Sequence, residues 1–185
     1  MNAKVQIQFP EQSIPFYSVA DIISAYSLAS EAATQLRTLA NQISKETAFV
    51  KTFVQESDRA DSPAFAELEN LIIISQQLAN SQADTYSLEL KRHTQEPDDH
   101  YDAGDLYDAY SLAYENTSWL ETMFYQVKEE VEVVKEAIKQ NTHGAVFATV
   151  ERLIHIAAYW AESHSNTLDI EREKYELESE ATKNG

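Results

Sequence analysis

Apolar residues recur along this chain at alternating spacings of three and four. From Ile22 the series runs through Ala25, Ala29, Ala32, Leu36, Leu39, Ile43, Glu46, Val50 and Phe53, with one acid at an otherwise apolar position. That period keeps one face of an α-helix apolar along its whole length, so it predicts a long helix packed along a seam. A second series repeats the first 84 positions later: Leu106, Ala109, Ala113, Asn116, Leu120, Met123, Val127, Glu130, Val134 and Ala137. Two shorter series, Phe65-Leu68-Ile72-Ser75-Ala79 and Phe147-Val150-Ile154-Ala157-Ala161, predict two further helices. Leu71/Leu153 and Leu78/Trp160 widen those seams into the broader stripe of a globular bundle.

The helix ends follow from capping chemistry. Ser18 with Asp21, and Asp102 with Asp105, have the spacing of an N-cap followed by an acid three residues on. Ser62-Pro63 places a cap before a proline at a first helical position, and Gly144 stands in the corresponding turn. Helices are therefore expected near 18–55, 63–94, 103–140 and 145–180, with no proline interrupting any of them. Residues 4–9, KVQIQF, alternate polar and apolar before Pro10. Two readings stay open there: a loosely held terminal arm, or a short strand pairing with a partner or with a second copy in a homodimer.

The 84-residue offset extends well beyond the seam. AYSLA occurs at 25–29 and 109–113, and Asp21/Asp105, Glu31/Glu115, Gln42/Gln126, Glu46/Glu130 and Val50-Lys51/Val134-Lys135 also coincide. Beyond the first turn the offset becomes 82, where FAELENLIIISQQLANSQADT falls on FATVERLIHIAAYWAESHSNT. The two-residue change is confined to the turn, where SDRADSP is replaced by NTHGA; loops tolerate such changes. The expected fold is all-α: an up-down-up-down bundle of four long antiparallel helices, formed by tandem duplication of a helical hairpin and carrying a pseudo-two-fold. An arm (1–17), a first hairpin (18–97) and a second hairpin (98–185) would make one compact domain. Neither hairpin can bury its stripe alone, and each can bury it against the other.

Composition narrows the function. The formal charge is −17, from 31 acidic and 14 basic residues. Direct nucleic-acid binding is disfavoured, since phosphate affinity comes from Lys and Arg, and an anionic membrane surface would repel the chain. The charge is uneven: residues 1–97 hold 12 acids against 7 bases and residues 98–185 hold 19 against 7. There is no cysteine, which removes disulfides, thiolate ligands and cysteine nucleophiles. With no signal-like leader and LIIIS as the longest near-apolar run, a cytoplasmic location is expected.

Catalytic and metal chemistry find no support. A di-iron bundle needs Glu-x-x-His on two helices, and none occurs; Glu89/His93 and Glu151/His155 are four apart and read as surface pairs. The linker EPDDHYDAGD lacks the spacing of a calcium loop. No nucleophile elbow or glycine-rich phosphate loop exists among three glycines. Glu46 and Glu130, on the seam, are the carboxylates whose burial would raise a pKa. No metal, no cofactor and no enzymatic activity are expected.

What remains is the surface that sets the second half apart. Tyr107 and Tyr114 lie two turns apart on the third helix, among Asp98, Asp99, Asp102, Asp105, Asp108 and Glu115. His155 and Tyr159 fall outside the fourth seam, one turn apart. Tyrosine anchors among acids suit a basic partner. The expected class is a non-catalytic interaction protein of a bacterial or phage-like kind, an adaptor, immunity partner or inhibitor. Its partner would be a basic or nucleic-acid-binding protein, and in a sharper form it would mimic nucleic acid in a basic groove. The alternative is a small-ligand binder or sensor with an apolar pocket between helices, lined by Trp119, Phe124, Trp160 and tyrosines.

Overall fold

A computed structural model of the chain describes residues 16–58, 63–96, 100–138 and 144–183. The described residues form a helical bundle of four long helices: α1 (Val19–Asp58), α2 (Ala66–Gln95), α3 (Ala103–Ile138) and α4 (Ala148–Lys183). Single 3₁₀ turns, Pro63–Phe65 and Gly144–Phe147, lead into α2 and α4, so those helices begin about one turn later than the caps imply. Residues 4–9, the expected strand or arm, lie outside the described residues.

The predicted caps at α1 and α3 form. The backbone N–H and hydroxyl of Ser18 both donate to Asp21 Oδ2 at 2.8 Å. Asp102 N–H donates to Asp105 Oδ2 at 2.9 Å, while Asp102 Oδ1 accepts from the N–H groups of Gly104 (2.7 Å) and Asp105 (3.1 Å). Each pair satisfies amides that the first turn leaves without an intrahelical partner.

α1 packs most extensively on α2 and α3 on α4; α1 also touches α3 and α4, and α2 touches α3. Two core clusters divide the bundle along its length. One is aliphatic and phenylalanine-rich, built from Leu36, Ile43, Val50, Phe65, Ile72, Leu120, Phe124, Val127, Val134, Phe147 and Ile154 among others. The other joins small alanines of α1 and α3 (Ala25, Ala29, Ala33, Ala109, Ala113) to Tyr86, Tyr101, Tyr110 and Tyr175. In AYSLA, then, the alanines are buried in both copies and the tyrosine in the second, as Tyr110: short side chains on α1 and α3 leave room for tyrosine rings.

One feature of the seam differs from the sequence expectation. From Leu36 onward the buried residues of α1 are Ala40, Ile43, Thr47, Val50 and Val54, so Thr47 takes the place expected of Glu46. On α3 the buried set is Thr117, Leu120, Phe124, Val127, Val131, Val134 and Ile138, and Val131 takes the place expected of Glu130. Glu46 and Glu130 are half-buried and Phe53 is exposed. Two apolar registers overlap on these helices, and desolvation chooses between them. A carboxylate in an aliphatic core costs several kcal/mol, roughly, and Thr or Val one position later costs far less.

Candidate functional site

The Ala/Tyr end of the bundle gathers most of the unusual chemistry. Eight of the ten tyrosines belong to its cluster: Tyr17, Tyr26, Tyr86, Tyr101, Tyr107, Tyr110, Tyr114 and Tyr175. Tyr110 and Tyr175 stack at 5.6 Å and 7°, with Tyr17 edge-on to Tyr175 at 5.4 Å. Tyr26 stacks on His93 at 5.3 Å. His93 Nδ1 is 2.8 Å from the Tyr101 hydroxyl, and the Tyr101 carbonyl accepts from Tyr17 N–H at 2.8 Å. The Tyr86 hydroxyl donates to the Leu112 carbonyl (3.3 Å) and accepts from Asn116 Nδ2 (2.8 Å).

Carboxylates from all four helices surround this cluster. Burial pushes Tyr110 up to about 12, and Glu171 and Asp21 add to the rise. Burial also raises Tyr26, reinforced by Glu89, opposed by Arg92, and reinforced again by Asp108 and Asp105. Tyr17 is raised by burial and by Glu178, to which its hydroxyl donates a hydrogen bond. Described residues 16–33, 83–96, 100–116 and 166–183 hold 15 acids and 5 bases, a net of −10. The remaining described residues hold 12 and 6, a net of −6, spread over a longer stretch of chain. In space, the acid is concentrated at one end of the bundle.

The expected site residues divide three ways. Asp98 and Asp99 lie outside the described residues. Asp102, Asp105, Tyr107, Asp108, Tyr114 and Glu115 come together at the Ala/Tyr end, but in different roles. Asp102 and Asp105 are committed to the α3 cap, and Tyr107 and Tyr114 are half-buried against the core. Arg172 of α4 lies over the Tyr114 ring at 5.2 Å and also hydrogen-bonds Tyr107. Its guanidinium is held by Asp169 at 2.8 Å and by Glu176 at 3.7 Å. Asp108 and Glu115 are exposed, with no ion pair among the described residues.

His155 and Tyr159 do not join this surface. They lie on the stretch of α4 that covers the aliphatic cluster, and His155 is 17 residues, about 25 Å of helix, from Arg172. Tyr159 is 66% exposed and meets Trp160 edge-on at 6.2 Å.

Sequence reasoning overlooked the α4 side of the acidic end: Asp169, Glu171, Arg172, Glu176 and Glu178. The available signal was the acid-rich run DIEREKYELESE, whose neighbours only the packing reveals.

The aromatic pocket of the alternative reading does not assemble from its expected lining. Phe124 is buried in the core, while Trp119 and Trp160 are 50% and 40% exposed. The space beside Phe124, among Ala40, Ile43, Ile72, Ser75 and Val127, is a packing gap too narrow for water. Among the described residues no helix is long and apolar enough to cross a membrane, and no group of three or more His, Cys, Asp or Glu is placed to hold a metal ion. No family model, curated protein or solved structure matches this chain.

Proposed function

We propose that this chain is a non-catalytic interaction protein that receives a basic partner at the acidic, tyrosine-built end of its bundle. Its presenting groups are the exposed Asp108 and Glu115 of α3 and Glu173 of α4, with the half-buried Glu171, which also pairs with Lys174 at 3.7 Å. The observation that carries this reading is the excess of carboxylates from four helices around one tyrosine cluster, 15 acids against 5 bases among the described residues of that end. Such a surface steers a positively charged partner into encounter and depends strongly on ionic strength. In its sharper form the carboxylates stand in for phosphates and occupy a nucleic-acid-binding groove, as an inhibitor or immunity partner would. Asp102 and Asp105 serve by closing the α3 cap, and Arg172 serves by holding Tyr107 and Tyr114 in place.

The same proposal includes the architecture: an antiparallel up-down-up-down bundle made by duplicating one hairpin. Contacts between α1 and α2 pair Arg37 with Asp84, Asn41 with Gln76 and Lys51 with Glu69, descending one helix as they ascend the other. The Lys51–Glu69 pair recurs as Lys135–Glu151. Phe65 and Phe147 stack on each other at 6.4 Å, and Tyr17 and Tyr101 share a β-bridge, as counterparts near a two-fold would. The buried positions Ala40, Thr47 and Val54 recur 84 residues later as Phe124, Val131 and Ile138.

The test is capture of proteins from host lysate at low and high salt. It compares wild type with a variant carrying Asp108→Asn, Glu115→Gln, Glu171→Gln and Glu173→Gln, changes that leave both caps intact. A basic partner held at low salt, released at high salt and lost by the folded variant is the expected result. Its displacement by nucleic acid would establish mimicry. Equal capture by the variant would refute the proposal.

A further inference from the structure

The α3–α4 seam opens, far from the acidic end, into a groove of about 240 Å³ lined by Lys128, Val131, Glu132, Glu151, Ile154 and His155. Its floor reaches the core, since Val131 and Ile154 are each only 1% exposed. The charges on its rim are unequal in availability. Glu132 and Glu151 are both engaged by the Lys135 ammonium, at 3.0 Å for Glu132. Lys128 and His155 have no ion pair or hydrogen bond among the described residues. The aligned positions on α1 and α2 make the contrast sharper. Lys51–Glu69 repeats Lys135–Glu151, but Ser44, Ala48 and Ile73 stand where the groove has Lys128, Glu132 and His155.

We propose that this groove binds a small organic carboxylate with a short apolar body. An ammonium offers three donors and no acceptor, and an imidazole adds a further ring nitrogen. Lys135 is shared between Glu132 and Glu151, and the rim charge that stands outside this trio is the Lys128 ammonium, whose complement is an anion. The apolar body lies over the closed Val131–Ile154 floor, against the aliphatic stem of Lys128. At about 30 Å³ per water-sized group, the volume admits roughly eight non-hydrogen atoms, the size of hexanoate. The site is independent of the acidic end: it uses other residues, on a stretch of α3 and α4 that covers the aliphatic core.

The experiment titrates the full chain with hexanoate, 1-hexanol and hexylammonium, following backbone amide shifts by NMR. Hexanoate is expected to give saturable shifts confined to residues 128–135 and 151–155, with 1-hexanol binding about fivefold more weakly. Hexylammonium should give none. Lys128→Ala with His155→Ala is expected to weaken hexanoate by at least about fivefold, and Lys128→Glu to abolish the shifts. Both variants change partly or fully exposed side chains, and circular dichroism verifies their helicity. Absence of saturable shifts, equal binding of 1-hexanol, or unchanged hexanoate binding in the variants would each overturn the proposal.

Discussion

Thr47 offers the sharpest test of how the bundle is packed. It is 2% exposed, its hydroxyl has no hydrogen-bond partner among the described residues, and its counterpart on α3 is Val131, at 1%. Thr and Val have nearly the same shape and similar helix propensity, so exchanging them alters one hydroxyl and little else. A buried hydroxyl without a partner costs about 1–3 kcal/mol in mutational series. Thr47→Val should therefore stabilise the protein by about 1 kcal/mol or more, and Val131→Thr should destabilise it by about 1–3 kcal/mol. At this chain length 1 kcal/mol corresponds to a Tm change of about 2–4 °C. In urea it corresponds to a midpoint shift of about 0.5 M with an unchanged slope. Glu46→Leu and Glu130→Leu are the controls: at half-buried positions they should stay within about 0.5 kcal/mol of wild type. If the leucine variants gain several kcal/mol while the Thr/Val exchange is silent, the seam runs through the glutamates and the packing argument fails.

Other outcomes follow from the same geometry. Phe65→Ala and Phe147→Ala should each cost about 3–5 kcal/mol, and the double variant less than the sum because the two rings stack on each other; chemical denaturation of all three measures this. Tyr110 holds its proton up to about 12, above the ordinary 10, so its contribution is intact below pH 10 and is lost as pH rises towards 12. Tyr110→Phe should match wild type at neutral pH and show a shallower alkaline loss of stability. Asp21 is held below its ordinary 3.8 by hydrogen bonds from Ser18, so its contribution is present above that value and vanishes as pH falls through the lowered one. Acid titration of stability should then be flatter in Asp21→Asn. Arg172→Lys should loosen Tyr107 and Tyr114, since an ammonium neither stacks as a plane nor makes the guanidinium's forked contacts; tyrosine fluorescence anisotropy would report it.

Much of the fold was legible because helix periodicity is a local property. The three-four spacing from Ile22 to Val50 sets an amphipathic face whatever the rest of the chain does, and Ser18/Asp21 and Asp102/Asp105 cap their helices using residues within one turn. The register of burial was less legible. Ala32 and Ala33 are both buried, but beyond them Leu39, Glu46 and Phe53 compete with Ala40, Thr47 and Val54 for the core, and the contest is settled by which series the neighbouring helices enclose. The candidate site was legible only on α3, where Tyr107, Asp108, Tyr114 and Glu115 are close in sequence.

Sequence alone determined that this chain forms long amphipathic helices, where α1 and α3 begin, that thiol chemistry is excluded and that the whole is strongly acidic. Those properties depend on residue type and on spacings of a few positions. Only the tertiary structure decided that Arg172 caps the tyrosines of α3, that His155 and Tyr159 stand well away from them, and that the acid of α3 and α4 converges on one end. Each of these depends on which residues of distant helices reach the same height in the bundle, and packing between helices sets that height.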